Sequence, residues 1–103
     1  MVTKSISEWE EIEKNIIHIL EICQNDLPYE AVKFVKQYLD HAEYEMAGEG
    51  LFIEIMNLEN IPPTLHKNEC LNLAYSLGLD KEVVYQHDFW VKFYDFCCCK
   101  LRS

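Results

Sequence analysis

The side chains of this 103-residue chain that could do chemistry are carboxylates, histidines and cysteines. Glu45 and Glu49 stand one helical turn apart, a spacing at which two carboxylates could serve as acid and base in glycoside or phosphoryl chemistry. Two like charges on a solvated helix face are also common, and no third functional residue type accompanies this pair. The chain has no glycine-rich phosphate loop, serine elbow or histidine-glutamate metal helix. We therefore expect that the protein is not an enzyme.

Metal binding and redox chemistry have little support in the spacing of the cysteines and histidines. His66 and Cys70 are a histidine-cysteine pair at one-turn spacing, whereas a structural zinc ion takes four ligands. The consecutive residues 97–99 are all cysteine, but neighbouring residues on a helix point about 100° apart and do not converge on one ion. Five cysteines in this arrangement are a poor disulfide framework, so we expect reduced thiols. We expect no cofactor.

A long interval without basic residues is the strongest signal in the chain. Between Lys36 and Lys67 there is no lysine or arginine, yet the interval contains six acidic residues. Acidic side chains without internal cations repel one another, so either solvent tolerates them or a basic partner meets them. Tyr44 and Met46 lie among these acids as candidate contact anchors, since aromatic residues surrounded by charge are typical of recognition surfaces. The predicted partner-binding set is Asp40, Glu43, Tyr44, Glu45, Met46, Glu49, Glu54 and Glu59.

The distribution of charge favours a basic protein partner. The formal net charge is -9, which argues against direct nucleic-acid binding, because neutralising phosphates needs clustered lysine and arginine. Residues 88–103 carry three basic and two acidic residues, so the negative charge is concentrated in the middle of the chain and not spread as solubility would require.

The N-terminal residues 1–13 lack the pattern of a secretory leader. The longest apolar runs are far shorter than the roughly 20 residues of a membrane helix. We expect a cytoplasmic protein with no membrane partner.

Three glycines and three prolines leave few places to turn, so we predict one all-α domain, a bundle of about five helices over residues 1–103. A capping box at residues 7–10 is expected to begin the first helix, which ends near Gln24. Asn25 or Asp26 caps the second helix, with Pro28 in its first turn. Asp40 or His41 is expected to end this helix.

The third predicted helix runs from Glu43 to about Leu58 and has two apolar faces. One face holds Tyr44, Ala47, Gly48, Leu51 and Ile55, the other holds Met46, Ile53 and Met56, and the glutamates fall between them. Gly48 and Gly50 each cost about 1 kcal/mol relative to alanine, which suggests that another backbone or a partner comes close. This helix is either a binding edge or the buried middle of the bundle.

Two further helices complete the prediction. Thr64 is expected to cap the fourth helix and Gly78 to close it. Asp80 is expected to cap the fifth. Its predicted apolar stripe is Val83, Val84, His87, Trp90, Val91, Tyr94 and Cys98, widened by Phe89, Phe93 and Phe96.

The acidic interval also resembles a known family. The segment YLDHAEYEMA at residues 38–47, EGL at 49–51 and IPP at 61–63 resemble the middle of small helical immunity proteins of bacterial polymorphic toxins. These are the MafI-like group and contact-dependent growth inhibition systems, and a looser likeness covers LAYSLGL at 73–79. The resemblance implies a cytosolic protein that binds and blocks the toxic C-terminal domain of an effector, commonly a ribonuclease or another nuclease, and that catalyses nothing itself.

The charge pattern fits that role on independent grounds. A nuclease carries a cationic cleft for phosphate, and an acidic helical face could occupy it, accelerate association and exclude the substrate. The alternative is a small acidic helical adaptor or regulatory protein whose acidity serves only solubility. An effector gene immediately upstream would favour immunity, and a solitary locus would favour the adaptor.

Overall fold

The computed structural model describes residues 4–83 and 87–102 and confirms the all-α prediction. Five helices follow one another within these described ranges: α1 Ile6–Cys23, α2 Tyr29–Asp40, α3 Tyr44–Met56, α4 Lys67–Ser76 and α5 Phe89–Lys100. The described ranges contain no strand beyond an isolated bridge between His66 and Arg102, where the Lys67 amide donates to the Arg102 carbonyl at 2.6 Å. This bridge ties the chain after α5 to the start of α4.

Helix α1 begins two residues earlier than predicted. The Ser5 hydroxyl accepts a hydrogen bond from the Glu8 amide at 3.1 Å, and the Glu8 carboxylate accepts one from the Ser5 amide at 3.2 Å. Ser5 is therefore the N-cap, and the predicted cap at Ser7 is wrong. Both serines are followed three residues later by glutamate, so the capping-box pattern alone does not distinguish them. The buried stripe of this helix is Ile12, Ile16, Ile19, Leu20 and Cys23.

Helix α2 starts without a side-chain cap. Pro28 is its N-cap residue, so the prediction that Asn25 or Asp26 would cap the helix is wrong. The Asp26 amide instead donates to the Cys23 carbonyl at 2.9 Å and continues the turn that ends α1. Ala31 and Val35 are the buried residues of α2, and the helix ends at Asp40, one of the two predicted positions, with His41 as its C-cap.

The connection from α2 to α3 is a tight left-handed turn at Ala42. Its φ of 55° is positive, although the residue is not glycine. The Glu43 amide donates to the Tyr38 carbonyl at 2.9 Å, and the Ala42 amide donates to the Leu39 carbonyl at 3.0 Å. These two bonds form a Schellman motif, in which glycine usually occupies the left-handed position.

Helix α4 ends in the same motif with glycine in place. The Leu79 amide donates to Ala74 and the Gly78 amide to Tyr75, both at 3.0 Å, and Gly78 has a φ of 73°. The predicted closure at Gly78 is confirmed. The predicted cap at Thr64 is wrong, because α4 begins after His66 with no side-chain cap.

Helix α3 lies in the middle of the bundle and contacts each of the other four helices. Its buried residues are Ala47, Gly48, Glu49, Gly50, Leu51, Phe52 and Ile55. The two glycines allow close contact with side chains of the same chain: a methyl group on Gly48 would collide with Leu77, and one on Gly50 would lie 2.5 Å from Cε1 of Phe34. The interpretation of α3 as the buried middle of the bundle therefore holds for the body of this helix.

Helix α5 is positioned by phenylalanine. Its buried residues are Phe89, Phe93 and Cys97, and the ring centroid of Phe93 lies 4.5 Å from that of Phe52 on α3. The predicted stripe is corrected here, because Val91, Tyr94 and Cys98 are exposed. Burying large aromatic rings removes more apolar surface from water than burying valine, so the phenylalanines turn toward the core. Helix α5 begins after Asp88, not at a cap on Asp80, and Val84 lies outside the described residues.

Candidate functional site

Glu49 has to be removed from the predicted binding surface. Its side chain is fully buried in α3, at 0% relative exposure, and it is the buried charged residue of the described core. No buried side-chain nitrogen or oxygen in the part of the chain that the structure describes lacks a hydrogen-bond partner. A partner protein cannot reach this carboxylate in the folded chain, because four helices surround the helix that carries it.

The remaining predicted acids fall into two groups at opposite ends of α3. Asp40, Glu43 and Glu45 are exposed around its N-terminus. Glu54 is near its C-terminal end, about 14 Å along the axis from Glu45, and Glu59 follows in the next connection. The structure therefore does not bring the predicted set together as one surface. Met46, in the first group, is half-buried.

Tyr44 is the centre of the N-terminal group. Its ring stacks on Trp9 of α1 with centroids 5.4 Å apart and an interplanar angle of 28°. Its hydroxyl donates a hydrogen bond to Oε2 of Glu13, also on α1, at 3.3 Å. Partial burial, together with the negative charges of Glu13 and Glu10, raises the pKa of Tyr44. The tyrosine is therefore held in one orientation against acidic neighbours and remains a neutral hydrogen-bond donor.

A hollow between α1 and α2 extends this acidic surface. Its volume is about 490 Å³. Glu13, Glu21 and Asp40 line it together with Lys36 and the partly exposed Ile17. Glu13 thus belongs both to this hollow and to the hydrogen bond with Tyr44, and it connects the two.

We call this surface the Tyr44 patch, and its members are Trp9, Glu10, Glu13, Asp40, Glu43, Tyr44 and Glu45. Among the described residues, the carboxylates of Asp40, Glu43 and Glu45 form no salt bridge with a lysine, arginine or histidine. A half-buried aromatic ring among such carboxylates suits lysine and arginine side chains, which can pair with the acids and lie against the open part of the ring.

Three members of the Tyr44 patch were not predicted as site residues from the sequence: Trp9, Glu10 and Glu13. Glu13 is 31 residues from Tyr44 along the chain, so only the fold brings them together. A weak signal was present, since Trp9 and Glu13 are one turn apart and share a face of α1.

The second acidic group lies beside a different hollow. Asp26, Glu54 and Glu59 line a space of about 360 Å³ where the start of α2 meets the end of α3. Of these three residues, Asp26 was expected only as a helix cap.

The cysteines have two different environments. Cys23, Cys70 and Cys97, from α1, α4 and α5, are buried free thiols in the core, whereas Cys98 and Cys99 are exposed. Burial, with a smaller effect from Asp26, raises the pKa of Cys23 to about 11, and burial raises the pKa of Cys97 to about 12. Burial also raises the pKa of Cys70. Thiols that stay protonated are poor nucleophiles and poor metal ligands. Their role in this structure is to fill the core.

His66 and Cys70 do not share a surface, because His66 is exposed at the start of α4 and Cys70 is buried. Residues 4–83 and 87–102 contain no group of three or more histidine, cysteine, aspartate or glutamate side chains that could hold a metal ion.

Within the described ranges, no helix combines the length and the apolar character required to cross a membrane. Neither a protein-family model, nor a curated protein, nor a solved structure matches this chain.

Proposed function

We propose that this protein is an immunity protein that binds and blocks the toxic C-terminal domain of a cognate effector, and that this domain is a basic nuclease. The Tyr44 patch carries the proposal. It combines a stacked aromatic pair with exposed carboxylates that have no cationic partner within the described chain. The resemblance of residues 38–47 to the immunity proteins falls on the same segment.

The inhibition is electrostatic and steric. The carboxylates of Asp40, Glu43 and Glu45 pair with lysine or arginine side chains that would otherwise hold phosphate, and the helical bundle covers the cleft. Tyr44 supplies the fixed contact at the centre, because Trp9 and Glu13 already restrict its ring and little side-chain entropy is lost on binding. This role requires no catalytic residue.

Co-expression tests the function directly. The C-terminal domain encoded by the gene upstream is expressed in cells with and without this protein. Survival together with a complex that co-purifies supports the proposal. Survival without a complex indicates an enzymatic antidote, and no protection leaves the adaptor alternative.

Two matched variants test the surface. Glu45→Lys and Glu82→Lys both replace an exposed glutamate and change the net charge equally, but only Glu45 belongs to the Tyr44 patch. We expect Glu45→Lys to slow association with the toxin domain by about tenfold at 50 mM salt and less at 500 mM, since screening weakens steering. We expect Glu82→Lys to change the rate by less than twofold. Equal effects would show that net charge alone matters and would reject the patch.

A stability measurement separates binding from a purely local role. Glu45 lies in the first turn of α3, where a carboxylate also stabilises the helix dipole by about 0.3 to 1 kcal/mol. If Glu45→Lys lowers the unfolding free energy but leaves the association rate unchanged, the dipole is the reason for this acid. Tyr44→Ala tests the anchor, and we expect a faster dissociation rate with little change in association.

A further inference from the structure

A groove between α2 and α3 is separate from the Tyr44 patch and mainly apolar. Its volume is about 490 Å³, which is within the range of about 300 to 1,000 Å³ typical of binding sites. Ala31 and Gly50 are buried at this groove, and Phe34 and Ile53 are half-buried along it.

The shape of the groove depends on Gly50. A methyl group at this position would lie 2.5 Å from Cε1 of Phe34, so the phenylalanine ring rests directly on the glycine. The ring also makes an edge contact with Tyr38, with centroids 4.6 Å apart and an interplanar angle of 63°. The apolar side of the groove is therefore preformed, and binding there would not require it to be ordered first.

The charged residues at the groove are all of one sign. Glu30 and Glu54 line it, and its described lining includes no basic residue. Glu54 also lines the neighbouring hollow with Asp26 and Glu59, which extends the negative charge past one end of the groove. An apolar surface bordered by carboxylates is complementary to a segment that carries an apolar side chain beside a lysine or arginine.

We propose that the α2/α3 groove binds a short basic amphipathic segment of a protein partner. An apolar side chain lies against Phe34 and Ile53, and a lysine or arginine next to it pairs with Glu30 and Glu54. The choice of a basic protein partner rests on the proposed function, but the groove uses none of the residues of the Tyr44 patch. A failure of one proposal is therefore separable from a failure of the other.

The first experiment maps binding on the wild-type protein and needs no variant. The ¹⁵N-labelled protein is titrated with the peptide KLLRKLLR, with KSSRKSSR and ELLEELLE as matched controls. We expect saturable amide shifts concentrated at Ala31, Gly50 and Ile53, with a Kd on the order of 10 to 100 μM, and at least tenfold weaker binding of both controls. Largest shifts around Tyr44, or equal binding of KSSRKSSR, would overturn the proposal.

The second experiment compares two double charge reversals of equal size. Glu30→Lys with Glu54→Lys is expected to weaken KLLRKLLR at least tenfold, and Glu43→Lys with Glu45→Lys is expected to leave it within twofold. An equal loss of KLLRKLLR affinity in both variants would show that the peptide responds only to the net charge of the protein, and this would overturn the proposal. If toxin binding requires Glu45 but the peptide shifts amides outside the groove, the groove proposal is wrong and the proposed function stands.

Discussion

The two Schellman motifs predict that exchanging glycine and alanine between them has opposite effects on stability. The turn after α2 places Ala42 at a φ of 55°, and the turn after α4 places Gly78 at a φ of 73°. Both positions have the same pair of backbone hydrogen bonds, so the two substitutions test one conformation in two contexts. We expect Ala42→Gly to stabilise the protein and Gly78→Ala to destabilise it.

The magnitude follows from the backbone alone. A side chain in the left-handed region costs roughly 1 to 2 kcal/mol, and glycine loses about 0.5 to 1 kcal/mol more conformational entropy on folding. A methyl group on Gly78 would meet no atom within 4 Å, and Ala42 is exposed, so contacts add little at either position. The net effect is about 0.5 to 1 kcal/mol in each direction, or about 2 to 8 °C in Tm for a domain of this size.

Urea unfolding followed by circular dichroism measures both variants. We expect the midpoint to rise for Ala42→Gly and to fall for Gly78→Ala, with an unchanged dependence on urea, because neither substitution alters the surface exposed on unfolding. The double variant should have nearly the wild-type stability, since the two turns end different helices and their effects add. A lower midpoint for Ala42→Gly would refute the reasoning from positive φ.

Three further predictions concern the core. Glu49→Ala should lower the free energy of unfolding, measured in urea, by about 2 to 4 kcal/mol, because it removes a buried side chain that has an interaction partner. The control Glu45→Ala, at an exposed position, should lower it by less than about 1 kcal/mol. Equal losses in the two variants would contradict the burial of Glu49. In the native protein a thiol reagent should modify Cys98 quickly and the three buried thiols only as fast as the protein opens, so five equally fast reactions would contradict the core assignment. The pKa values of Cys23 and Cys97 in the folded protein, about 11 and 12, exceed the unfolded value of about 8.5, so the contribution of these thiols to the free energy of unfolding is complete below pH 8.5 and is lost as pH rises toward the folded values. We expect the free energy of unfolding to fall by about 1 to 2 kcal/mol per thiol by pH 10. The dependence of this free energy on pH should be shallower in the variant in which both residues are alanine.

The order of the helices was predictable because turn signals in this chain are few and strong. Gly78 closes α4 as expected, and α2 ends at Asp40 as expected. The starts of the helices were harder, because several polar residues near each start could serve as a cap. Ser5 and Ser7 both fit the capping-box pattern, and which one caps α1 depends on where the helix packs.

The burial of Glu49 could not be inferred from its own helix. On a helical wheel of α3, Glu49 falls between two apolar faces. Such a position is exposed when other helices cover one of the faces, and it is buried when they cover both. Only the presence of helices on all sides decides this. The link between Tyr44 and Glu13 was hidden for a similar reason, since 31 residues separate them along the chain and the contact exists only when α1 lies beside α3.

The central position of α3 limits how a partner can use the acidic interval. Its middle is buried, so a partner can reach the Tyr44 patch around its N-terminus and the groove beside Glu54, but not Glu49 between them. Glu45 and Glu54, one near each end of α3, are about 14 Å apart along the helix axis. A typical interface buries about 800 Å² on each partner, which corresponds to a disc about 32 Å across. One basic partner of ordinary size is wide enough for that axial distance, but nine residues at about 100° each turn the Glu45 and Glu54 side chains to opposite sides of α3. A partner would have to wrap around the bundle to pair with both, so we expect Glu54→Lys to add less than twofold to the effect of Glu45→Lys on association with the full toxin domain.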